Sequence, residues 1–223
     1  MSYQLQFGEL LPYWEVIAKG VAFTVVLTAV STAAGVAVGT AGAAARTWGP
    51  RWASNLVGAY VELIRNTPFI VQLFFVFFGL PAAGIKLSEN QAAVLAMVIN
   101  LGAYSTEIIR AGIEATPRGH IEAALSLAMT RMQVLRHVVL KPAFMKIYPA
   151  LCSQIVIVML GSSVVSQISA EDLTFAANFI QSRNFRAFES YFAAALIYLL
   201  LAIALRALLK GIGRWIFPGS AAR

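Results

Sequence analysis

The chain has 223 residues, 59% of them hydrophobic and 12% charged, with a mean hydropathy of +0.74 and a formal net charge of +7. This balance excludes an ordinary soluble domain, in which charged residues make up roughly 25%. It describes an all-α, multi-pass membrane protein whose positive charge needs no nucleic acid, because basic loops on one side of a bilayer and anionic headgroups already account for it.

Residues 1–19 read as an N-terminal segment on the outer side, followed by a first span from about 20 to about 45. A cleavable leader fits this stretch poorly: the apolar run is too long for a signal core, and Glu9 and Glu15 precede it. Gly35 and Gly39 stand four apart on one helical face. Such small-residue faces allow close helix approach, within one chain or between two.

The second span, from about 53 to about 80, is interrupted by Glu62, Arg65 and Asn66, and then by Thr67-Pro68, which removes a backbone donor. Glu62 and Arg65 are i and i+3 and can pair on a helix. Ionisable groups at membrane depth face a bundle interior or a water-filled path, so a structural ion pair and a polar pathway both fit. Glu62, Arg65, Thr67, Gln72, Asn100, Ser162, Ser163 and Gln167 are the candidates for that pathway, with Gln154 beside them. Each amide or hydroxyl taken alone serves equally as interhelical glue. The third span runs from about 91 to about 109, the fourth from about 143 to about 168 and the fifth from about 188 to about 209. Glu107 and Arg110 repeat the i, i+3 spacing at a span end, where the interface solvates both. Cys152 reads as a small core residue.

Between the third and fourth spans lies a charged amphipathic loop, 116–142. Thr116 is placed to cap a short helix beginning at Pro117, with Ile121, Ala124, Leu125 and Ala128 on one face. Thr130 and Gln133 form a capping-box pattern for a second helix that Lys141-Pro142 should stop. The apolar faces of both helices need a cover, supplied by a partner's groove or by the bilayer surface. After the fourth span, 169–188 reads as a helix lying on the outer surface, capped at Ser169, with Glu171, Asp172, Arg183 and Arg186 facing water. Twelve of the Lys and Arg residues fall on the side of the 116–142 loop and four on the other, with Arg65 inside a span. That bias places the N-terminus outside and the loop, the C-terminus and the 216–223 tail in the cytoplasm.

Glu122-Ala123-Ala124, with Leu127 following and Val139-Leu140 further on, is similar to the EAA loop of ABC importer permeases. RNTPFIVQLFFVFFGLP at 65–81, YSTEIIRAGIEA at 104–115 and SSVVSQISAEDLTFAANFI at 162–180 resemble the permeases of the polar amino acid uptake family, in a likeness covering most of 15–215. The resemblance implies a type I importer permease fold of about five helices occupying 20–215, in the bacterial inner membrane. It implies a second permease chain, the same or related, a pair of ATP-binding cassette subunits, and an external amino-acid-binding protein that delivers the solute. Glu122, Ala123, Ala124, Leu125 and Ala128 would form the helix that couples to the ATPase, and transport would proceed by alternating access. ATP and Mg would be held by the partner, since this chain has no GxxxxGK[ST] phosphate loop and carries no cofactor of its own. Two positions depart from the family pattern. Ala128 stands where glycine is usual, so the turn either stays right-handed or is altered there. Leu140-Lys141-Pro142 replaces Leu-Pro and shifts the expected helix stop.

The alternative reading is an ion-coupled secondary transporter or a channel acting alone, although only one span is clearly charged and disturbed by proline. An intramembrane enzyme would need a nucleophile with its base, or metal ligands, converging at depth. Both histidines, His120 and His137, fall in the 116–142 loop.

Overall fold

A computed structural model describes residues 4–130 and 133–217, and every regular element among them is helical. A 3₁₀ turn, Phe7–Tyr13, leads into α1, Trp14–Trp48. Next come α2, Arg51–Arg65, and α3, Phe69–Ala82, then α4, Glu89–Glu114. The short α5, Arg118–Ser126, precedes a π-helical stretch, Val134–Leu140, that runs directly into α6, Lys141–Gly161. A 3₁₀ segment, Ser162–Ile168, then α7, Leu173–Asn184, and α8, Ala187–Ile216, complete the chain.

Four stretches are long and apolar enough to cross a bilayer: Phe7–Trp48, Glu89–Glu114, Pro142–Ile168 and Ala187–Ile216. The expected second span is broken, because α2 and α3 meet at 111°. The break has a local cause. Pro68 cannot donate to the carbonyl one turn back, and the residue before a proline is pushed away from helical geometry.

The packing shows which way each span runs. Ala43, Ile109, Ile147 and Leu151 form one cluster, which puts the end of α1, the end of α4 and the start of α6 together. Tyr148 on α6 donates its hydroxyl to the carbonyl of Leu209, bringing in the end of α8. We call this the basic end, since Arg46, Arg110, Lys146 and Arg206 lie near it. At the opposite end Leu27, Ala92, Ala93, Ile168 and Ala170 cluster with Leu73 and Val76 of α3. So α1 ends at the basic end and α4 begins at the other, and the bent α2–α3 pair carries the chain between them as a fifth crossing. The N-terminal segment is pinned opposite the basic end, where the Gln6 amide donates to the buried Glu189 carboxylate at 3.0 Å.

α4 is the central post, flanked by α1, α2 and α6. Its contact with α1 depends on small residues: a Cβ on Gly35 would meet Leu101, and one on Gly39 would meet Ser105 and the Thr106 amide nitrogen. The small-residue face of the first span is thus used within the chain.

Residues 169–188 depart from their sequence reading. Ser169 adopts a left-handed conformation, φ 63°, and Asp172 is the cap, accepting from the Phe175 amide at 2.8 Å. Asp172 does not face water. It is fully buried and also accepts from the Tyr198 hydroxyl at 2.8 Å, while Thr24 of α1 accepts from the Leu173 amide. Burial pushes the Asp172 carboxyl above its usual range against the pull of these hydrogen bonds. Leu173, Ala176, Ala177 and Ile180 are buried, so α7 is wedged between α1 and α8 instead of lying on the surface.

Lys141-Pro142 does not stop a helix either. The wide π turn immediately before it displaces the carbonyl that a proline ring would strike, and the chain passes into α6 without a break. The same device recurs in α3, where the π turn Phe75–Gly79 precedes Pro81.

Candidate functional site

Two features of this scaffold carry chemistry: the helical hairpin between α4 and α6, and a pair of cavities beside the α2–α3 break, one largely apolar and one charged.

The expected cap, Thr116, does not engage α5; Pro117 holds the cap position with no side-chain hydrogen bond, and Gly119 lies inside the helix. Ala124 is buried against Val134 and Val139, with Ile113, Ile121, Met129 and Val138 around them. The apolar faces expected to need a partner or the bilayer therefore close largely on each other and on the end of α4. What stays outside is Glu122, Ala123, Leu125 and Ala128, together with Leu127, which is 79% exposed. The hairpin is a small preformed core that presents a mixed acidic and aliphatic outer face.

Its turn is a Schellman motif. The Met129 amide reaches the Ala124 carbonyl at 3.3 Å and the Ala128 amide reaches Leu125 at 3.0 Å, with Ala128 left-handed at φ 58°. The left-handed turn is thus kept without its glycine, at a cost of roughly 1–2 kcal/mol. Beyond it the expected capping box is present: Gln133 accepts from the Thr130 amide at 2.8 Å, and Thr130 Oγ1 accepts from the Gln133 amide at 3.3 Å.

The first cavity, about 410 Å³, is lined by Thr67, Phe69, Met97, Asn100, Tyr104 and Gln154, among others. Thr67 and Asn100 thus line one cavity. Gln72 lies behind them, mostly buried, with Nε2 donating to the carbonyls of Ile64 and Thr67 and to Thr67 Oγ1, while Oε1 accepts from Asn100 at 2.9 Å. It is a knot that closes the α2–α3 break and sets the Asn100 amide. The second cavity, about 430 Å³, is lined by Arg46, Glu62, Arg65, Asn66, Glu107 and Arg110, and Tyr104 lines it as well. Tyr104 is common to the linings of both cavities.

Glu62 and Arg65 do not pair. Both are exposed, where such a pair is worth little, and the Arg65 guanidinium lies 5.5 Å from the Tyr104 ring centroid instead. Glu107 does bind Arg110, and the pair extends to Arg46 at 3.4 Å and to Glu114, joining α1 to α4 at the basic end. Ser162, Ser163 and Gln167 stand apart from both cavities. Ser162 is buried and donates to the Met159 carbonyl at 2.6 Å, the Ser163 carbonyl accepts from Ser166, and Gln167 is exposed. Beyond Gly161 the helix tightens to 3₁₀, so an α-helical projection points these three side chains wrongly. Met97 and Tyr104 were missed, although 97, 100 and 104 follow the i, i+3, i+7 spacing of one α-helical face.

The model of the family described as "Binding-protein-dependent transport system inner membrane component" matches residues 35–218. The chain belongs to that family. It is 34% identical to the glutamine transport system permease protein GlnP of Escherichia coli, over 76% of this chain and 78% of that one. It is also 34% identical to the L-cystine transport system permease protein TcyB of Bacillus subtilis, over 86% and 83%. Among solved structures, an amino acid ABC transporter crystallised with histidines superposes with a TM-score of 0.88 at 34% identity, covering 95% of this chain and 99% of that one. A methionine ABC transporter in inward-facing form shares the fold at a TM-score of 0.77 and 20% identity, over 92% and 98%. The permease is therefore a polar amino acid ABC importer subunit and a multi-pass membrane protein.

Proposed function

We propose that this permease imports a polar amino acid across the bacterial inner membrane by alternating access, with its basic end in the cytoplasm. The observation that carries the reading is the hairpin. Its inner face is already packed on Val134 and Val139, so the outward Glu122, Ala123, Leu125 and Leu127 are free to meet another protein. That protein would be one of a pair of ATP-binding cassette subunits, which hold the ATP and Mg that this chain has no phosphate loop to bind. A binding protein would deliver solute at the end where Lys19 and Lys86 lie, and a second permease chain, identical or related, would complete the pathway. The excess of Lys and Arg at the basic end supports this orientation.

The solute path would pass the two cavities that share Tyr104. Arg65 there suits an α-carboxylate and Glu62 an α-amine, while Thr67 and Asn100 offer neutral hydrogen bonds. Gln72 acts behind them as a positioning residue. Ser162, Ser163 and Gln167 would enter only in another conformational state.

The test is uptake by proteoliposomes containing the permease with its co-expressed ATPase and binding protein. Glu122→Lys should leave the chain in the membrane and ATP hydrolysis measurable, while transport per ATP falls at least about tenfold, the effect of roughly 1.4 kcal/mol at a docking contact. Glu62→Gln and Arg65→Gln should change the apparent affinity for solute before they change expression. Uptake driven by an ion gradient without any ATPase subunit would overturn the proposal.

A further inference from the structure

A groove of about 580 Å³ separates the first turns of α6 from the last turns of α8, at the basic end. Arg206, Lys210 and Arg214 line it at i, i+4 and i+8 of α8, and no acidic side chain does. None of the three is in an ion pair among the described residues. One wall is held rigidly by Tyr148. Its hydroxyl donates to the Leu209 carbonyl at 2.6 Å, its ring fills the space where a Cβ on Gly213 would stand, and it meets the Phe217 ring edge-on at 5.7 Å.

The surface beside the groove is hydrocarbon. Leu196, Leu199 and Ile203 are exposed on α8 and continue the stripe of Arg206, Lys210 and Arg214 along the helix, whose most apolar window is only 6% buried, and Trp215 is exposed at its end. Arg206 and Arg214 are eight residues apart, about 12 Å along the axis. A tryptophan at a span end marks the headgroup level, so Arg206 lies well below it, where a cation needs an anionic partner.

We propose that this groove binds an anionic phospholipid, with its phosphate on Arg206, Lys210 and Arg214 and its acyl chains along the exposed apolar face of α8. Two features select a lipid over other anions. The three cations meet no protein carboxylate, and the cationic cleft opens directly onto an apolar surface that inorganic phosphate could not use. A zwitterionic lipid would bring its own ammonium group towards the cations and bind less well.

Native mass spectrometry of the full permease, with whatever chains co-purify, tests this against phosphatidylglycerol, phosphatidylcholine and inorganic phosphate. Phosphatidylglycerol should be retained in preference to phosphatidylcholine. Lys210→Gln should weaken phosphatidylglycerol about fivefold, and Arg206→Gln, Lys210→Gln and Arg214→Gln together roughly a hundredfold, with phosphatidylcholine unchanged. Thermal stabilisation of the native sequence by phosphatidylglycerol, reduced in Lys210→Gln, gives a reading that does not depend on the triple variant folding. Equal retention in all variants overturns the proposal. Displacement of the lipid by inorganic phosphate overturns it in favour of a free anion. Loss of a co-purifying chain from the triple variant with lipid retention intact overturns it in favour of a protein partner.

Discussion

Ala128 holds a left-handed backbone that glycine adopts freely, and it does so at the turn that sets the angle between α5 and the helix after it. Glycine would relieve the clash between Cβ and the carbonyl but would release more entropy in the unfolded chain. The net gain expected for Ala128→Gly is ~0.5–1 kcal/mol, and Ala128→Val should lose stability. Hydrogen exchange at the α5 amides reads this locally; slower exchange in the glycine variant is the expected result, and no change would mean the turn is not strained. Asp172 is a second residue whose environment decides its chemistry. It caps α7 and accepts from Tyr198, yet burial raises its carboxyl pKa, so the folded state binds a proton more readily than the unfolded state does. The contribution of Asp172 to stability should therefore be full below the ordinary carboxyl range, at about pH 4, and be lost as pH rises through the raised folded value. Asp172→Asn keeps an acceptor for Phe175 and offers Tyr198 a donor, so it should flatten this part of the melting-temperature profile. Asp172→Ala removes the cap from the Phe175 amide, while Tyr198 keeps its hydrogen bond with Thr174, and should cost about 1–2 kcal/mol. A melting profile with the same pH slope in the asparagine variant would assign the dependence to other groups.

The α2–α3 break is the element on which the candidate pathway turns, and Gln72 is what closes it. Its amide meets the Ile64 carbonyl, which Pro68 leaves without a helical donor, and the Thr67 carbonyl at the break, and its oxygen fixes Asn100. Gln72→Leu fills the same space but abandons these groups, so a loss of about 2–4 kcal/mol is expected, together with weaker solute binding through a freed Asn100. Gln72→Glu should fare almost as badly, because Nε2 is the donor that the carbonyls need. Denaturation in detergent alongside solute binding separates the two effects; an unperturbed Gln72→Leu variant would remove the knot from the account. How much of this was legible beforehand follows from what each signal measures. Hydropathy measures length and apolarity, so α1, α4, α6 and α8 were visible as spans. The same average runs across Thr67-Pro68 and hides a 111° turn. Thr67, Gln72 and Asn100 were recognisable as polar groups at depth, but their mutual hydrogen bonds join α2, α3 and α4 and have no local trace. Tyr104 and Gln154 lay on legible helical faces, and what was missing was the knowledge that those faces confront each other. The 3₁₀ segment after Gly161 and the π turns before Pro81 and Pro142 change the period itself, which is why Ser162, Gln167 and the helix stop were misplaced.

At the scale of the whole molecule the helices sort by how much they bury. The most apolar windows of Glu89–Glu114 and Pro142–Ile168 are 56% and 50% buried, while those of Phe7–Trp48 and Ala187–Ile216 are 28% and 6% buried. The central pair makes the core, and the outer pair turns apolar surface to lipid or to a second chain. The four tryptophans agree with a bilayer setting, since all are more than half exposed: Trp14, Trp48, Trp52 and Trp215 at 64%, 53%, 71% and 84%. Each also stands at or near a helix end, as aromatic belts require. α1 has 35 residues, hence a length of about 52 Å, against a hydrocarbon core of about 30 Å. It must therefore tilt or project, and Trp14 and Trp48 must lie in opposite interfaces or beyond them. Trp48, Trp52 and Trp215 share the basic end, so they should share a leaflet, with Trp14 in the other. Variants that keep one tryptophan and carry phenylalanine at the other three can be reconstituted with brominated lipids. Every site should be quenched more by bromine near the headgroup than by bromine at mid-chain. Iodide outside oriented vesicles should reach Trp14 but not Trp215, or the reverse if the orientation is inverted. Equal access to Trp14 and Trp215 from one side would mean an even number of crossings, and the bent α2–α3 pair would then have to re-enter the face it left.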